Sequence, residues 1–436
     1  MNRHLLRDLS AAAVAALLVL TAVLVGRSIE HRDGSLRVGW PPLLATWDPH
    51  LGPGTPAALV VAVAVVVYGP GLAARLPWRP LLLAVWGAGL AWTWSLALVD
   101  GWHRGIAEQL TTKSEYLPVV GRFHDIPAAL RDFSAHILID TPDNWPAHVA
   151  GHPPGATLTF VLLDRVGLGG GGWAGVFCIT LGTTAAVAVL VAVRTLADES
   201  FARRAAPFLV LAPAAVWVGT SADGYFAAVA AWAVALLALA VRGHRPGWTG
   251  FASGLLFGLT VYLSYGLTLM ASIAAAVLLL GSRRPLPYAL AGFAVLPVVF
   301  TLYGFDWWEA YRLLVTRYHQ GAGGVRPYGY WVWANLACTV LIVGPATVAG
   351  LRRTGATLVR RSPRPDVRLA VLVLAALLAV LVADLSGMSK AETERIWLPF
   401  ALWLLPACAW LTGVRGWLAA QAVVALLLNH LLLTGW

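Results

Sequence analysis

The chain has 436 residues, of which 59% are hydrophobic and only 12% are charged, whereas an ordinary soluble domain carries about 25% charged residues. Repeated apolar runs long enough to cross a bilayer exclude a soluble globular protein and predict an all-α polytopic membrane protein. The net charge of +10 leaves nucleic-acid binding open until the charges are placed along the chain.

The apolar runs predict about 13 transmembrane helices. They cover residues 10–26, 57–74, 80–99, 173–195, 205–219, 223–241, 249–264, 266–281, 286–303, 329–350, 368–384, 396–413 and 416–434. The first run follows Arg3 and Arg7 and lacks a small-residue cleavage site, so we expect a retained anchor with a cytoplasmic N-terminus. Residues 1–79 then form a transmembrane pair with an outer loop, and residues 80–436 form the core with a large outer loop at 100–170.

The basic residues agree with one orientation of these spans, because short cytoplasmic loops are rich in Arg and Lys. The predicted inner segments contain Arg3, Arg7, Arg75, Arg79, Arg194, Arg203, Arg204, Arg242, Arg245, Arg283, Arg284, Arg352, Arg353, Arg360, Arg361, Arg364, Arg368 and Arg415. The only acids among them are Asp8, Asp198, Glu199 and Asp366. The positive charge therefore indicates orientation and not a nucleic-acid partner, and the chain is expected in a bacterial plasma membrane with its other acids outside.

Loop 100–170 predicts structure of its own. Ile126, Leu130, Phe133 and Ile137 share one helical face, and Asp125 is placed to cap that helix. We therefore expect an amphipathic helix on the membrane surface. The next apolar stretch, 152–168, is too short to span and predicts a juxtamembrane or half-inserted helix.

Acidic residues beside apolar runs are the first candidates for chemistry. Asp100 ends one span, and Glu115 follows it in the loop, ahead of the sequence His152-Pro153-Pro154-Gly155. A partly desolvated carboxylate has the raised basicity that a general base for a hydroxyl group needs. Solvation of a helix end or of a loop explains Asp100 and Glu115 equally well.

Two further clusters lie in predicted outer segments. Asp223 occupies a short turn, either as a second acid or as a helix N-cap. Lys390, Glu392, Glu394 and Arg395 gather at the start of a later span. Because Arg is unfavourable at a helix N-terminus, Arg395 calls for an anionic partner, either Glu392 or a phosphate.

A fourth candidate region is residues 304–331, in which aromatic residues alternate with Arg. The Trp residues fit an interfacial aromatic belt. Arg317, His319 and Arg326, beside a glycine-rich segment, instead fit a headgroup site. The three cysteines lie in apolar runs, away from any His or Cys at ligand spacing, and predict buried side chains and no metal site.

The order of these features resembles the GT-C superfamily of polytopic glycosyltransferases. The resemblance is carried by Asp100, Glu115-Tyr116, the HPPG turn at 152–155, the SADGY turn at 221–225 and the ETERIW stretch at 392–397. The chain is similar to actinobacterial mannosyl- and arabinosyltransferases that build envelope glycans. This resemblance implies a GT-C-like bundle with outer juxtamembrane helices and an active site facing outside. As a departure from the family pattern, we expect no large soluble C-terminal domain.

The resemblance also implies a polyprenyl-phosphate-linked sugar donor and a glycan or glycolipid acceptor. Glu115 or Asp100 would then be the general base and Asp223 a second acid. Arg395 and Lys390 are candidates for binding the donor phosphate. Further candidates for the phosphate are Arg326, His319 and His152. Glu392 and Glu394 are other candidate site residues. No cofactor is certain, and the need for a divalent metal stays open. A transporter or lipid-linked sugar flippase is the alternative, and a noncatalytic assembly partner is a third reading.

Overall fold

The computed structural model describes residues 3–359 and 364–435, so Arg360 and Arg361 lie outside the described residues. The α-helices are α1 (Arg3–Asp33), α2 (Thr55–Arg75), α3 (Trp78–Ala97), α4 (Ile126–Arg131), α5 (Ala147–Gly151), α6 (Pro154–Arg165), α7 (Gly171–Gly182), α8 (Thr184–Leu196), α9 (Glu199–Val210), α10 (Ala215–Val218), α11 (Ala222–Val241), α12 (Pro246–Leu263), α13 (Met270–Leu280), α14 (Leu286–Leu302), α15 (Trp307–Gln320), α16 (Ala322–Val325), α17 (Tyr328–Val359), α18 (Arg364–Leu385), α19 (Thr393–Ile396), α20 (Leu398–Ala401) and α21 (Val414–Leu431).

Short helical turns and one small sheet complete the described structure. The 3₁₀ turns are Leu98–Asp100, Gln109–Thr111, Leu117–Phe123, Phe133–His136, Tyr265–Leu269 and Leu405–Trp410, and His103–Glu108 is a π-helix. Strands β1 (Ala45–Trp47) and β2 (Leu432–Thr434) pair antiparallel, with Ala45 opposite Thr434. This pairing ties the loop after α1 to the end of α21.

Eight helical segments of the described chain are long and apolar enough to cross a membrane, so the chain is an all-α polytopic membrane protein. They are Arg3–Asp33, Thr55–Arg75, Trp78–Asp100, Gly171–Leu196, Ala222–Val241, Tyr328–Val359, Arg364–Leu385 and Val414–Leu431. A ninth is formed if α14 and α15, which bend by 78° at their junction, count as one span.

This number differs from the 13 spans that the sequence predicts, because several apolar runs form short pieces. The run at 205–219 divides into α9 and α10 around Pro213. The run at 396–413 divides into α20 and a 3₁₀ turn, and the run at 266–281 begins with a 3₁₀ turn. Hydropathy measures only composition, whereas proline placement and packing decide whether a run stays one continuous helix.

The centre of the bundle is α11, and α1 lies at its edge. The most apolar window of α11 is 78% buried within the protein, whereas that of α1 is 22% buried. Helix α17 breaks at Gly344, where φ is 75°, just before Pro345. The side chain of Gln421 bonds to both sides of this break, to the carbonyl of Val343 at 2.8 Å and the amide of Ala346 at 3.3 Å. The freed backbone groups are therefore satisfied inside the protein.

One end of the bundle, here called the basic end, is held together by the acids that the sequence places inside. Asp8 of α1 is fully buried and lies 2.6 Å from Arg352 of α17. Glu199 pairs with Arg203 at 2.6 Å, and Asp366 accepts a hydrogen bond from Trp410 at 2.8 Å. These contacts bring several predicted inner segments to one end.

Loop 100–170 folds against the other end, and its first predicted helix needs correction. Asp125 caps α4 by accepting a hydrogen bond from Ala128 at 3.0 Å, as predicted. The helix ends at Arg131, however, and the apolar face is not free to lie on a membrane. Phe133 is fully buried and packs against Trp145 and Phe305 at ring-centroid distances of 5.4 and 5.6 Å. Segments remote in sequence cover this face. The second stretch forms α6, which covers only Pro154–Arg165 and is too short to span, as expected. Its juxtamembrane or half-inserted position stays a prediction.

Candidate active site

Glu115 is held in the loop that follows α3. Its amide donates to the carbonyl of Thr112 at 3.0 Å, and the carboxylate is only 4% exposed. Tyr116 follows and stacks on Phe160 of α6 at 5.4 Å, which fixes the chain on the far side of Glu115. Burial raises the pKa of the Tyr116 hydroxyl well above its ordinary value, so this group stays protonated.

His148 of α5 lies directly beside Glu115. Its amide donates to the carbonyl of Ser114 at 2.9 Å, so α5 is docked on the Glu115 segment. Its ring Nδ1 lies 2.6 Å from Oε1 of Glu115, and its Nε2 lies 2.9 Å from Nη2 of Arg395. Because a guanidinium group can only donate, Nε2 must accept this bond. The ring proton is then on Nδ1, facing the Glu115 carboxylate.

Arg395 of α19 joins this pair to two more acids. Its Nη1 donates to Asp223, and its Nη2 lies 2.9 Å from Oε2 of Glu392. Burial alone would lower the pKa of Arg395, but Asp223 and Glu392 raise it above its ordinary value. Glu115, Asp223 and Glu392 are thus brought together around one guanidinium group, although they are far apart in sequence.

Asp223 lies in the first turn of α11, at the end opposite the basic end. Ser221 is the N-cap of this helix, since its hydroxyl accepts from the Asp223 amide at 3.1 Å. The capping interpretation of Asp223 is therefore wrong, and its carboxylate is available to Arg395. Arg242 follows the last residue of α11, about 30 Å away at 1.5 Å per residue.

The backbone at Glu392 is strained. Ala391 and Glu392 have φ values of 72° and 63°, in a region that residues other than glycine rarely adopt. Burial would raise the pKa of the Glu392 carboxyl, but the charges of Arg395 and Arg326 lower it below its ordinary value. Glu392 therefore stays ionised, and its side chain, 23% exposed, is the least buried carboxylate of this cluster.

Glu394 points away from Arg395 into the protein. It is fully buried, and its Oε1 accepts from the amide of Leu44 at 3.0 Å. Burial raises the pKa of Glu394 to about 7. This residue thus holds the loop after α1 against α19 and carries a proton for part of the time near neutral pH.

The predicted phosphate-binding residues have partners within the protein. Lys390 donates from Nζ to the carbonyl of Gly323 at 2.9 Å. Arg326 is buried and donates to the carbonyls of Leu36 and Lys390, at 2.9 and 2.7 Å. His319 is exposed, at the end of α15. These contacts connect the segment after α15 to the loop after α1.

His152 lies beside the Glu115 cluster as a neutral ring. Its Nδ1 lies 2.7 Å from the carbonyl of His148 and 3.1 Å from the hydroxyl of Tyr116. Burial lowers the pKa of His152 to about 4, so the ring carries no positive charge near neutral pH. Its neighbour Gly155 packs so closely on Tyr262 that an added Cβ would lie 2.5 Å from the carbonyl oxygen. The HPPG turn therefore docks α6 against α12.

The partners of Asp100 differ from those of Glu115. Its Oδ1 lies 2.8 Å from Nε2 of His50, and its Oδ2 lies 3.8 Å from Nε of Arg104. The His50 ring stacks on His430 at 6.5 Å, next to the β1–β2 pair. Asp100 thus belongs to a separate group of side chains that holds the two chain regions of the small sheet.

Two histidines at these sites were missed by the sequence analysis. His148 stands four residues before His152, a spacing that puts both on one helical face, and this was the available signal. His50 had no such signal, because its contact with Asp100 depends on how the loop after α1 folds back.

The arrangement is suited to proton transfer. Within residues 3–359 and 364–435, no group of three or more His, Cys, Asp and Glu side chains is arranged to hold a metal ion. The acids around Arg395 are instead balanced by its guanidinium group. A carboxylate that faces an imidazole N–H can take up a proton from a hydroxyl group while keeping its orientation.

The chain resembles solved membrane enzymes in overall shape. It is similar to the Archaeoglobus fulgidus oligosaccharyltransferase in the apo form, with 14% identity over 77% of this chain and 50% of that chain and a TM-score of 0.47. It is also similar to ArnT from Cupriavidus metallidurans bound to undecaprenyl phosphate, with 16% identity over 77% of this chain and 60% of that chain and a TM-score of 0.43.

The chain spans about half the length of the oligosaccharyltransferase. Neither the protein-family models nor the curated proteins contain a match.

Proposed function

We propose that this protein is a membrane glycosyltransferase of the GT-C type, which moves a sugar from a polyprenyl-phosphate donor to an envelope glycan or lipid acceptor. The observation that supports it most is the Glu115–His148 contact of 2.6 Å, within a cluster of acids at one end of an apolar bundle. The motifs at 115–116, 152–155, 221–225 and 392–397 all belong to the GT-C-like sequence pattern. Three of them contribute side chains to this cluster, namely the motifs that contain Glu115, Asp223 and Arg395.

In the proposed reaction, Glu115 is the general base. The acceptor hydroxyl oxygen attacks the anomeric carbon of the donor sugar while Glu115 takes the hydroxyl proton. The bond from that carbon to the phosphate oxygen breaks, and its electron pair leaves with the polyprenyl phosphate. One negative charge thus passes from Glu115 to the leaving phosphate, and the single displacement inverts the anomeric centre.

His148 and Arg395 are positioning residues in this proposal. The Nδ1 proton of His148 orients the base, and Arg395 holds Asp223 and Glu392 beside it. Because Arg395 already contacts both acids, it would bind a donor phosphate only by exchanging one of them. Lys390, Arg326 and His319 lie in the neighbouring segments and remain our candidates for the phosphate, while a neutral His152 can contribute only a hydrogen bond.

The finer features of the function belong to the same proposal. The donor class includes undecaprenyl phosphate sugars, and mannose and arabinose are the first sugars to test. We place the active site on the outer face of a bacterial plasma membrane, because the basic end carries the Arg residues that favour the inner side. The reaction steps proposed above involve no divalent metal ion.

The experiment is an assay of the purified protein in lipid nanodiscs with radiolabelled polyprenyl-phosphate mannose and polyprenyl-phosphate arabinose. Release of polyprenyl phosphate together with labelled acceptor is expected from the wild type. Movement of intact donor across the bilayer without sugar transfer would establish the transporter alternative instead. Activity that is unchanged in both Glu115→Gln and Asp100→Asn would overturn both assignments of the base.

A further inference from the structure

A groove opens between α2, α3 and α9 near the basic end, remote from the candidate active site. It encloses a cavity of about 560 Å³, within the roughly 300–1,000 Å³ range of ligand pockets. Its walls are mostly small and aliphatic side chains, including Ala84, Ala88 and Ala206. An added Cβ at Gly71 would meet no atom within 4 Å, so the groove provides open space beside α2.

Pro70 lies inside α2, next to the groove. A proline inside a helix has no N–H to donate and displaces the preceding turn. The carbonyl of Val67, in that turn, accepts a hydrogen bond from Arg415 at 3.3 Å. Pro207 of α9 faces this region, with its Cβ 3.4 Å from the position of an added Cβ at Gly69.

Two guanidinium groups line the groove. Arg75 is the last residue of α2, and Arg415 lies in the first turn of α21. Both are exposed, and none of the described residues that line the groove is acidic. Within the described part of the chain, neither Arg75 nor Arg415 forms an ion pair.

The position of the groove along α2 indicates which class of ligand it binds. Helix α2 is one of the spanning segments, so the groove faces the acyl chains of the bilayer. Arg75, one of the two cations, is the last residue of this span, which is the depth of the lipid headgroups. Basic pockets between membrane helices bind anionic headgroups in this way.

We propose that this groove binds an anionic glycerophospholipid, with one acyl chain between α2 and α3 and its phosphate at Arg75 and Arg415. The apolar walls match the acyl chain, and the two guanidinium groups match the phosphate and the net negative charge of the headgroup. This site is independent of the glycosyltransferase proposal, because it shares no residue with the acidic cluster.

The test is native mass spectrometry of the full chain, purified in detergent and titrated with dioleoyl phosphatidylglycerol or dioleoyl phosphatidylcholine. The wild type should retain phosphatidylglycerol in preference to phosphatidylcholine. The double variant Arg75→Gln/Arg415→Gln should lose about tenfold in affinity for phosphatidylglycerol. The matched control is Arg283→Gln/Arg284→Gln, which removes the same charge from an exposed turn outside the groove and should keep wild-type affinity.

A second pair of variants tests the apolar part. Gly71→Phe fills the groove and should abolish retention of the lipid. Gly87→Phe makes the same change on an exposed part of α3, where an added Cβ also meets no atom within 4 Å, and should have no effect. Equal retention of both lipids by the wild type, or unchanged retention in Gly71→Phe, would overturn the proposal. Because Gly71→Phe removes no charge, it remains informative if the arginine double variant does not fold.

Discussion

Nδ1 of His148 lies 2.6 Å from Oε1 of Glu115, and the opposite nitrogen of the same ring accepts a hydrogen bond from Arg395. The imidazole is therefore held in one tautomer by a group that can only donate. A general base needs an acceptor oxygen that is held in a fixed direction. The contact with His148 holds the Glu115 carboxylate oxygens in such a direction. The predictions below follow from this pair and from the charges around it.

Replacing Glu115 by Gln should lower the rate of sugar transfer by about 10²- to 10⁴-fold, because an amide cannot take up the hydroxyl proton. The measurement is kcat/KM with the polyprenyl-phosphate donor. Glu108→Gln is the matched control, since Glu108 lies in the same loop but is exposed and pairs with His103. Equal losses in the two variants would show that loop charge matters and that Glu115 is not the base.

Replacing His148 by Asn should preserve more activity than replacing it by Leu, by roughly ten- to a hundredfold. An Asn amide can keep a donor near the position of Nδ1, whereas Leu leaves Glu115 without it. The readout is kcat/KM for both variants, together with the thermal unfolding midpoint. If the two variants have the same activity at equal stability, His148 does not orient the base.

Asp223→Asn should destabilise the protein by about 3 kcal/mol, because it leaves part of the buried charge of Arg395 uncompensated. The double variant Asp223→Asn/Arg395→Gln should be more stable than Asp223→Asn alone. The measurement is the free energy of unfolding in mixed micelles. Additive effects of the two substitutions would contradict a direct coupling between these residues. Asp33→Asn is the control, since Asp33 pairs with Arg32 at the surface.

His152 should make the protein less stable in mild acid. Its pKa is about 4 in the folded protein and about 6.5 in the unfolded chain, so the unfolded chain binds the extra proton between these values. Its contribution is complete above pH 6.5 and falls by roughly 3 kcal/mol as the pH decreases to 4. The stability of His152→Asn relative to the wild type should therefore rise by this amount as the pH decreases from 6.5 to 4. Parallel curves for the two proteins between pH 4 and 6.5 would be evidence against a buried neutral ring.

Glu394 should act in the opposite direction. Burial raises its folded-state pKa from the ordinary value of 4.5 to about 7, so the folded protein holds the proton over this range. The contribution of Glu394 to stability should therefore decrease by roughly 3 kcal/mol as the pH rises from 4.5 to 7, which opposes the change due to His152. Glu394→Gln can still accept from the Leu44 amide and does not titrate. It should match the wild type near pH 5 and exceed it at pH 8, as measured by thermal unfolding.

Local patterns in the sequence predicted the features that depend on neighbouring residues. Asp125 caps α4 because capping needs only a side chain and an amide three residues apart. The stretch at 152–168 is too short to span, and α6 is indeed a 12-residue helix. The fate of Phe133 could not be predicted, since Trp145 and Phe305, which cover it, lie in other segments.

By itself, the sequence determined the class of this protein and the separation of its charges, because hydropathy and local charge are properties of short segments. Only the tertiary structure decided which acids meet. Arg395 reaches His148 across 247 residues of sequence and brings Asp223 and Glu115 into one cluster, whereas Asp100 pairs with His50 elsewhere. Contacts between such distant residues depend on how the helices pack, because each side chain is placed by the whole bundle and not by its neighbours in the chain.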